Sequence, residues 1–279
     1  MEDALIRHGA SVAFPYWDWT RPVKRLPELF TAESFYDAWR DQVVINPFAR
    51  CFIESVNGYT VRDPQPELYK LSNDGEHSVL FDEVLLALEQ TDYCDFEVQF
   101  EVTHNAIHYL VGGRQRYSLA SLEYSSYDPI FFVHHTFVDK IWVVWQELQK
   151  RRGLPHDRAD CAVNYMQETL HPFDWEQFNR DVRTRAHSVP QTVFDYEDLG
   201  YHYDDMTLGG MTLEQLEDII HVRQSRPRVF AGFSLHGIST SADVEFHICK
   251  AEGECTRAGG FFILGGPLEM PWTFDRLFK

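Results

Sequence analysis

The sequence has 279 residues, of which 44% are hydrophobic and 15% aromatic, so it can bury one large domain and part of another. Its formal net charge of -18 at pH 7 argues against nucleic acid and anionic membranes as partners. The chain contains no stretch of about 18 or more apolar residues, so the sequence predicts no membrane-spanning helix.

The first part of the chain combines a short amphipathic pattern with a block of aromatic residues. Residues 1–6 resemble the middle of a helix and lack the basic start and apolar run of a secretory signal. Residues 12–22 are turn-rich, and their aromatic rings are expected to pack in the core. Helices are predicted at residues 32–42 and 79–90. Residues 57–75 are rich in Pro, Asp, Asn and Gly and are predicted to form a loop.

Longer helices follow, and near residue 225 the pattern changes to strands. The predicted helices cover residues 97–110, 130–151, 174–185 and 212–224, the last beginning with a capping box. The predicted strands cover residues 229–235, 243–249 and 260–264. We therefore predict an α+β chain, with a mainly α-helical domain over residues 1–225 and a β-rich domain over residues 226–279.

Four histidines occur as two pairs on the two longest predicted helices. His104 and His108 are four residues apart, so both rings project from one helix face and can reach one metal ion. A third imidazole from the next helix, His134 or His135, would complete an all-nitrogen site that suits copper or zinc. Three protein ligands leave an open position, which is typical of a metal that binds or activates another molecule.

Two common kinds of zinc site are excluded by the residues around these histidines. A HExxH metalloprotease needs a glutamate directly after the first histidine, where this chain has Asn105. No Cys-x-x-Cys pair accompanies the histidines, so a zinc finger or zinc ribbon is also excluded.

The five cysteines are compatible with two disulfide bonds. Cys249 and Cys255 flank a polar, glycine-containing turn between two strand-like runs, which favours a hairpin disulfide. Cys94 and Cys161 could form a second bond that joins the two long helices, which leaves Cys51 over. The sequence alone does not fix this connectivity. Two disulfides indicate an oxidising, extracellular compartment.

Several segments together resemble a known family. They are FPYWDWT at residues 14–20, HNAIH at 104–108 with VGG at 111–113, DPIFFVHH at 128–135 with Asp139 and Trp142, RVFAGF at 228–233 and FFILGG at 261–266. The segments between residues 104 and 142 are similar to the second-copper half of a type 3 copper site, and FPYWDWT is a second block typical of tyrosinases and molluscan hemocyanins. The last two look like the start of the hemocyanin β-rich domain. The chain therefore resembles a molluscan hemocyanin functional unit, which implies a tyrosinase-like helical domain followed by the start of a β-sandwich.

The resemblance also implies a set of copper ligands. Carried over by position, the ligands are His104, His108 and His135. His134 is the competing candidate for the third place, and the resemblance favours the second histidine of the pair. Asn105, between the two ligands of the first helix, is expected at most to support a ligand.

Three further residues are expected near the site. Phe131 lies four residues before His135, so its ring is expected to pack against that imidazole, a role that ordinary core packing would also explain. Asp139 lies four residues after His135 and is expected either to accept a hydrogen bond near the site or to lie exposed on the helix. By resemblance, Leu264 plugs the copper pocket, and otherwise it is a core residue at a strand end.

The function that the resemblance implies is oxygen transport in the hemolymph. Two copper ions, each held by three histidines, would bind dioxygen reversibly as peroxide. The expected partners are dioxygen and other hemocyanin units in a large oligomer. A β domain that covers the site favours this carrier over a phenoloxidase that oxidises o-diphenols, which remains the alternative. An inert structural fragment is the third hypothesis.

The ligands of the first copper are expected before the aromatic block. Only His8 precedes Phe14, and its place at a predicted helix end favours a helix-terminal cation over a ligand. In the resembling family the β-rich domain also continues beyond the position of Lys279. We therefore expect a chain that is truncated at both ends and carries the second-copper half of the site.

Overall fold

The computed structural model of the protein describes most of the chain. The described residues are 2–7, 9, 11, 13–72, 74–156, 169, 189–226, 231–238, 242–251, 253–264 and 272–278. They form a mixture of helices and strands, as predicted. The predicted helix at 174–185, together with His8 and Cys161, lies outside the described residues.

The helices confirm most of the predicted ones. They are α1 (Glu2–Arg7), α2 (Glu28–Thr31), α3 (Val79–Leu88), α4 (Tyr93–Gly112), α5 (Ile130–Arg151) and α6 (Leu213–Gln224), with single 3-10 turns at Glu54–Val56, Pro66–Tyr69, Ser125–Tyr127 and Pro190–Thr192. None of the described helices is both long and apolar enough to cross a lipid bilayer.

Local hydrogen bonds fix where the two long helices begin. The Asp92 carboxylate accepts a hydrogen bond from the backbone N–H of Cys94 at the start of α4, over 2.9 Å. Asp128 does the same for Ile130 at the start of α5, over 3.0 Å, and Pro129 between them is favoured in the first helical turn. At the end of α4, the positive φ of Gly113 suits a glycine that stops the helix.

The strands form two-stranded antiparallel pairs. The strands are β1 (Ser34–Asp37), β2 (Gln42–Ile45), β3 (Phe52–Ile53), β4 (Gly58–Tyr59), β5 (Ala231–Ile238), β6 (Ala242–Cys249), β7 (Cys255–Ile263) and β8 (Trp272–Phe278). Strand β1 pairs with β2, β3 with β4, β5 with β8, and β6 with β7. The last four strands begin the β-rich part of the chain, of which β8 was not predicted.

The helix predicted at 32–42 is wrong, because this segment forms the hairpin of β1 and β2. Asp37 accepts hydrogen bonds from the backbone N–H groups of Trp39 and Arg40, which closes the turn locally. Asp41 adopts the left-handed conformation, with φ of 50°, that ends the turn. These side chain-to-backbone bonds offer the chain an alternative to the helix.

The cysteines agree with the predicted hairpin disulfide. Cys249 and Cys255 face each other in the register of β6 and β7 and are disulfide-bonded, with their Cα atoms 4.0 Å apart. Cys94 is also disulfide-bonded, and its predicted partner Cys161 lies outside the described residues. Cys51 is free and half-buried.

By its internal contacts the chain divides into two compact units. The first consists of residues 1–83, 101–138 and 226–279. Its buried side chains include Trp17 and Trp19 of the aromatic block, with Trp19 edge-on to Phe137 at 5.0 Å between ring centroids. Strand β7 contributes Phe261 and Ile263, which form a buried cluster with Val102.

The second unit consists of residues 84–100 and 139–225. Aromatic rings form its core, where Phe96 stacks on Trp145 at 4.8 Å and Phe194 lies edge-on to Tyr93 at 4.6 Å. Helix α6 begins with the predicted capping box, since the side chain of Thr212 accepts from the backbone N–H of Gln215.

Candidate metal centre

Four histidines of the first unit form a compact group of nitrogen donors. Helix α4 supplies His104 and His108, and helix α5 supplies His134 and His135, with one ligand atom of each within 4.8 Å of the others. His108 and His134 are buried, whereas His104 and His135 are partly accessible. The structure thus brings together the histidine pairs that the sequence singled out.

Three of the Nε2 atoms converge. His104 Nε2 lies 3.0 Å from His108 Nε2 and 3.3 Å from His135 Nε2. Imidazoles that bind one metal ion at about 2.0–2.1 Å, with tetrahedral angles, have nitrogens about 3.3 Å apart. The spacing of His104, His108 and His135 therefore fits a single ion between two helices.

The opposite ring nitrogens of two of these histidines fix their tautomers. His108 Nδ1 lies 2.8 Å from the backbone carbonyl of Leu119, which can only accept a hydrogen bond, so Nδ1 carries the proton. His104 Nδ1 lies 3.0 Å from Asn105 Oδ1, with the same consequence. Both rings then turn Nε2 lone pairs toward each other across 3.0 Å. A cation between them would be attracted to both lone pairs, so the donor set fits a metal ion.

The three converging imidazoles are neutral at physiological pH. Burial is the largest cause, and it lowers the pKa of His104 and of His135 to about 3 and that of His108 to about 4. Repulsion between the neighbouring rings lowers each pKa further, while the hydrogen bonds to Asn105 and Leu119 oppose the shift. Neutral rings keep the lone pairs that metal binding needs.

Phe131 covers one side of the group. Its ring stacks on His135, with centroids 4.1 Å apart and planes 29° apart, and lies edge-on to His108 at 5.8 Å. These contacts place Phe131 where the sequence expected it. The ring restricts the orientation of His135 and covers part of its surface.

His134 differs from its three neighbours in its hydrogen bonds. The indole N–H of Trp19 donates to His134 Nδ1 over 3.2 Å, and both residues are buried. His134 Nε2 is buried as well. The ring stacks nearly parallel to His104, with centroids 5.3 Å apart and planes 16° apart.

Asp139 and Leu264 are the other two residues that the sequence predicted near the site. In the second unit, Asp139 accepts hydrogen bonds from the hydroxyls of Tyr201, at 3.0 Å, and Tyr203, at 2.6 Å. Burial raises the pKa of this carboxyl, against the effect of the two tyrosines. Leu264 directly follows β7 and is half-buried, and its role as a plug stays a prediction.

Sequence reasoning did not identify two groups that act on the histidines. The Leu119 carbonyl is a backbone atom, so no side-chain pattern marks it. Trp19 lies 115 residues from His134, and the sequence placed its ring in the core without assigning it a partner. The aromatic block was the available signal, since a buried tryptophan N–H usually finds a hydrogen-bond acceptor.

Comparison with known proteins gives the family. The common central domain of tyrosinase matches residues 1–148, and the haemocyanin beta-sandwich matches residues 223–279. Hemocyanin 1 of Megathura crenulata is 59% identical over 278 residues, which is 100% of this chain. The chain belongs to the molluscan hemocyanins. It spans 8% of the length of that hemocyanin.

Solved hemocyanin structures share the fold. A functional unit of octopus hemocyanin is 46% identical with a TM-score of 0.86, and deoxygenated hemocyanin from Rapana thomasiana is 46% identical with a TM-score of 0.91. In both comparisons 99% of this chain is covered, and it spans 68% of the solved chain. The predicted resemblance to hemocyanins, and the fold class that it implied, are confirmed.

Proposed function

We propose that this chain supplies one copper-binding half of a type 3 site that binds dioxygen reversibly, and that the protein carries oxygen. The observation that carries the proposal is the convergence of the Nε2 atoms of His104, His108 and His135, two of them with tautomers set for a metal. Among the described residues this is the one group with metal-ligand spacing.

The residues around the ion would hold it and control its surroundings. Copper, when bound, supplies reversible one-electron redox chemistry and affinity for dioxygen, which imidazoles alone lack. Asn105 and the Leu119 carbonyl orient two ligands through their Nδ1 protons. Phe131 packs on the third ligand and limits the access of water. Three protein ligands leave a coordination position for an exogenous molecule.

The family supports the same function at the level of the whole protein. Its relatives are named hemocyanins, including chains that contain several units, such as the Enteroctopus dofleini protein named for units Ode to Odg. We therefore propose that the partners are dioxygen and other hemocyanin units, and that the protein acts outside the cell. We also propose the domain division near residue 225, with Leu264 of the β-rich part acting as a plug.

Copper titration of the chain tests the ligand set. Wild-type protein is expected to take up one tightly bound copper(I) ion, and His108→Ala is expected to lose that binding. His247→Ala is the matched control, because His247 is an exposed residue of strand β6 and is not among the grouped histidines. Equal copper uptake by His108→Ala and wild type would contradict the proposed site.

Oxygen cycling of the native, copper-loaded protein tests the function. We expect a near-ultraviolet absorption band that appears under oxygen and disappears under argon over repeated cycles. Sustained oxidation of a catechol, with no such reversible band, would instead assign the protein as a phenoloxidase. Absence of both signals in copper-loaded protein would contradict a role in oxygen chemistry.

A further inference from the structure

Adjacent histidines on α5 are not equivalent in their hydrogen bonds. His134 is fully buried, and its ring contacts those of His104, His108 and His135 with centroids 5.3, 5.0 and 5.1 Å away. Distance alone therefore does not remove His134 from a metal site. The hydrogen bond that His134 Nδ1 accepts distinguishes it from the other three histidines.

Trp19 sets the tautomer of His134. An indole N–H can only donate, so His134 Nδ1 must accept the 3.2 Å hydrogen bond and carries no proton. Because Nδ1 holds a lone pair and no proton, the His134 ring is neutral. A neutral imidazole has one N–H, which is then on Nε2.

The tautomer of His134 is opposite to that of the neighbouring ligands. His104 and His108 carry the proton on Nδ1 and present a lone pair at Nε2, whereas His134 presents an N–H at Nε2. To bind a metal, His134 would have to move its proton to Nδ1. The indole N–H of Trp19 and the Nδ1–H of His134 would then face each other inside the core, and the hydrogen bond between the two residues would be lost.

We propose that Trp19 is a positioning residue that keeps His134 out of the ligand set and so limits the ion to three protein nitrogens. This inference rests on the copper-binding role proposed above. It assigns a role to the aromatic block at residues 14–20, whose Trp19 is otherwise a core residue. The position left open on the ion would be filled by His134 if Trp19 did not hold its Nδ1.

The tautomer can be tested without any metal. Nitrogen-detected NMR of the copper-free chain, labelled at histidine, is expected to show the His134 proton on Nε2 and the His104 and His108 protons on Nδ1. The variant Trp17→Phe, which changes a buried tryptophan of the same segment whose ring packs against Phe30, is expected to keep this pattern. A His134 proton on Nδ1 in the wild-type chain would overturn the proposal.

The ligand count is tested with one Cu²⁺ ion per chain. Pulsed electron paramagnetic resonance, which counts bound imidazoles, is expected to give three in wild type and in Trp17→Phe. Trp19→Phe keeps an aromatic ring against Phe137 but removes the N–H, so the count is expected to rise to four. Adding His134→Phe to that variant is expected to return the count to three.

The outcomes separate this inference from the proposed function. A count of three in folded Trp19→Phe, or of four in wild type, overturns the role of Trp19 and leaves copper binding intact. A wild-type chain that takes up no copper contradicts the proposed function, while the NMR pattern still decides the tautomer. The wild-type NMR result also decides the inference if Trp19→Phe does not fold.

Discussion

Arg62 and Asp128 form a buried ion pair that ties several segments of the first unit together. The guanidinium donates to both carboxylate oxygens, over 2.8 and 2.7 Å, and to the backbone carbonyl of Phe48 over 2.7 Å. Asp128 is fully buried and also begins α5. This bidentate geometry requires the planar guanidinium group of arginine.

Replacement of this arginine by lysine is expected to destabilise the protein strongly. Arg62→Lys keeps the charge but cannot reach the Asp128 carboxylate and the Phe48 carbonyl together, so buried acceptors lose their partners. We expect the free energy of unfolding to fall by about 2 kcal/mol or more, measured by urea denaturation. Arg21→Lys, at an exposed ion pair with Asp18, is the control and should change it by less than about 0.5 kcal/mol.

A second ion pair predicts how stability depends on pH. Lys140 is buried and its ammonium lies 2.9 Å from Asp205. Partial burial acts to raise the pKa of Asp205, but hydrogen bonds from Thr207 and Lys140 outweigh it and lower the pKa below its usual range. A lowered carboxyl pKa stabilises the fold above the unfolded pKa of about 3.9, and this stabilisation is lost as the pH falls further.

Asp205→Asn is therefore expected to destabilise the protein at pH 7 and to have a progressively smaller effect below about pH 4. Urea denaturation of wild type and variant across this range measures the difference. Asp218→Asn, at an exposed position of α6, is the control and should show no such trend. A difference that stays constant down to about pH 2 would show that the lowered pKa does not contribute to stability.

Individual residues of the candidate site could be predicted only where local spacing decides their position. Four residues of separation on one helix correctly brought His104 and His108 together. Spacing could not distinguish His134 from His135, because the hydrogen bond that sets His134 apart comes from Trp19, 115 positions away. For the same reason, spacing could not predict that two tyrosines donate to Asp139.

At the scale of elements, α6 offers a direct test of helix capping. Thr212→Ala removes the acceptor for the N–H of Gln215 and leaves the reciprocal bond without its counterpart. We expect a loss of about 1 kcal/mol in the free energy of unfolding, visible as a lower Tm. Thr212→Ser retains the hydroxyl and should restore most of the loss, and equal Tm values for the two variants would contradict this role of the cap.

Elements could be predicted where periodicity and end signals agree. Helix α5 has the predicted bounds, because its apolar spacing runs unbroken from the Asp-Pro start to the basic residues of the last turn. The hairpin of β1 and β2 was missed because its turn depends on Asp37 bonding to two backbone N–H groups, within a segment that also fits a helical spacing. The turn bonds outweigh a weak propensity.

At the scale of the whole molecule, the negative charge and the neutral metal site have separate effects. The net charge of -18 attracts cations over long range in a way that salt screens. The imidazoles of the site are uncharged, so their selectivity depends on donor type and geometry. We therefore expect salt to slow the arrival of copper more than it weakens the binding.

Copper should also join helices α4 and α5, because the proposed ligands come from both. A ligand that binds only the folded state stabilises it by about 2.7 kcal/mol when free metal is about 100 times Kd. We expect copper(I) under argon to raise the Tm of the wild-type chain with increasing concentration and to slow amide hydrogen exchange in both helices. His104→Ala should abolish both effects, while His247→Ala keeps them. Stabilisation that persists in His104→Ala would place the copper elsewhere on the chain.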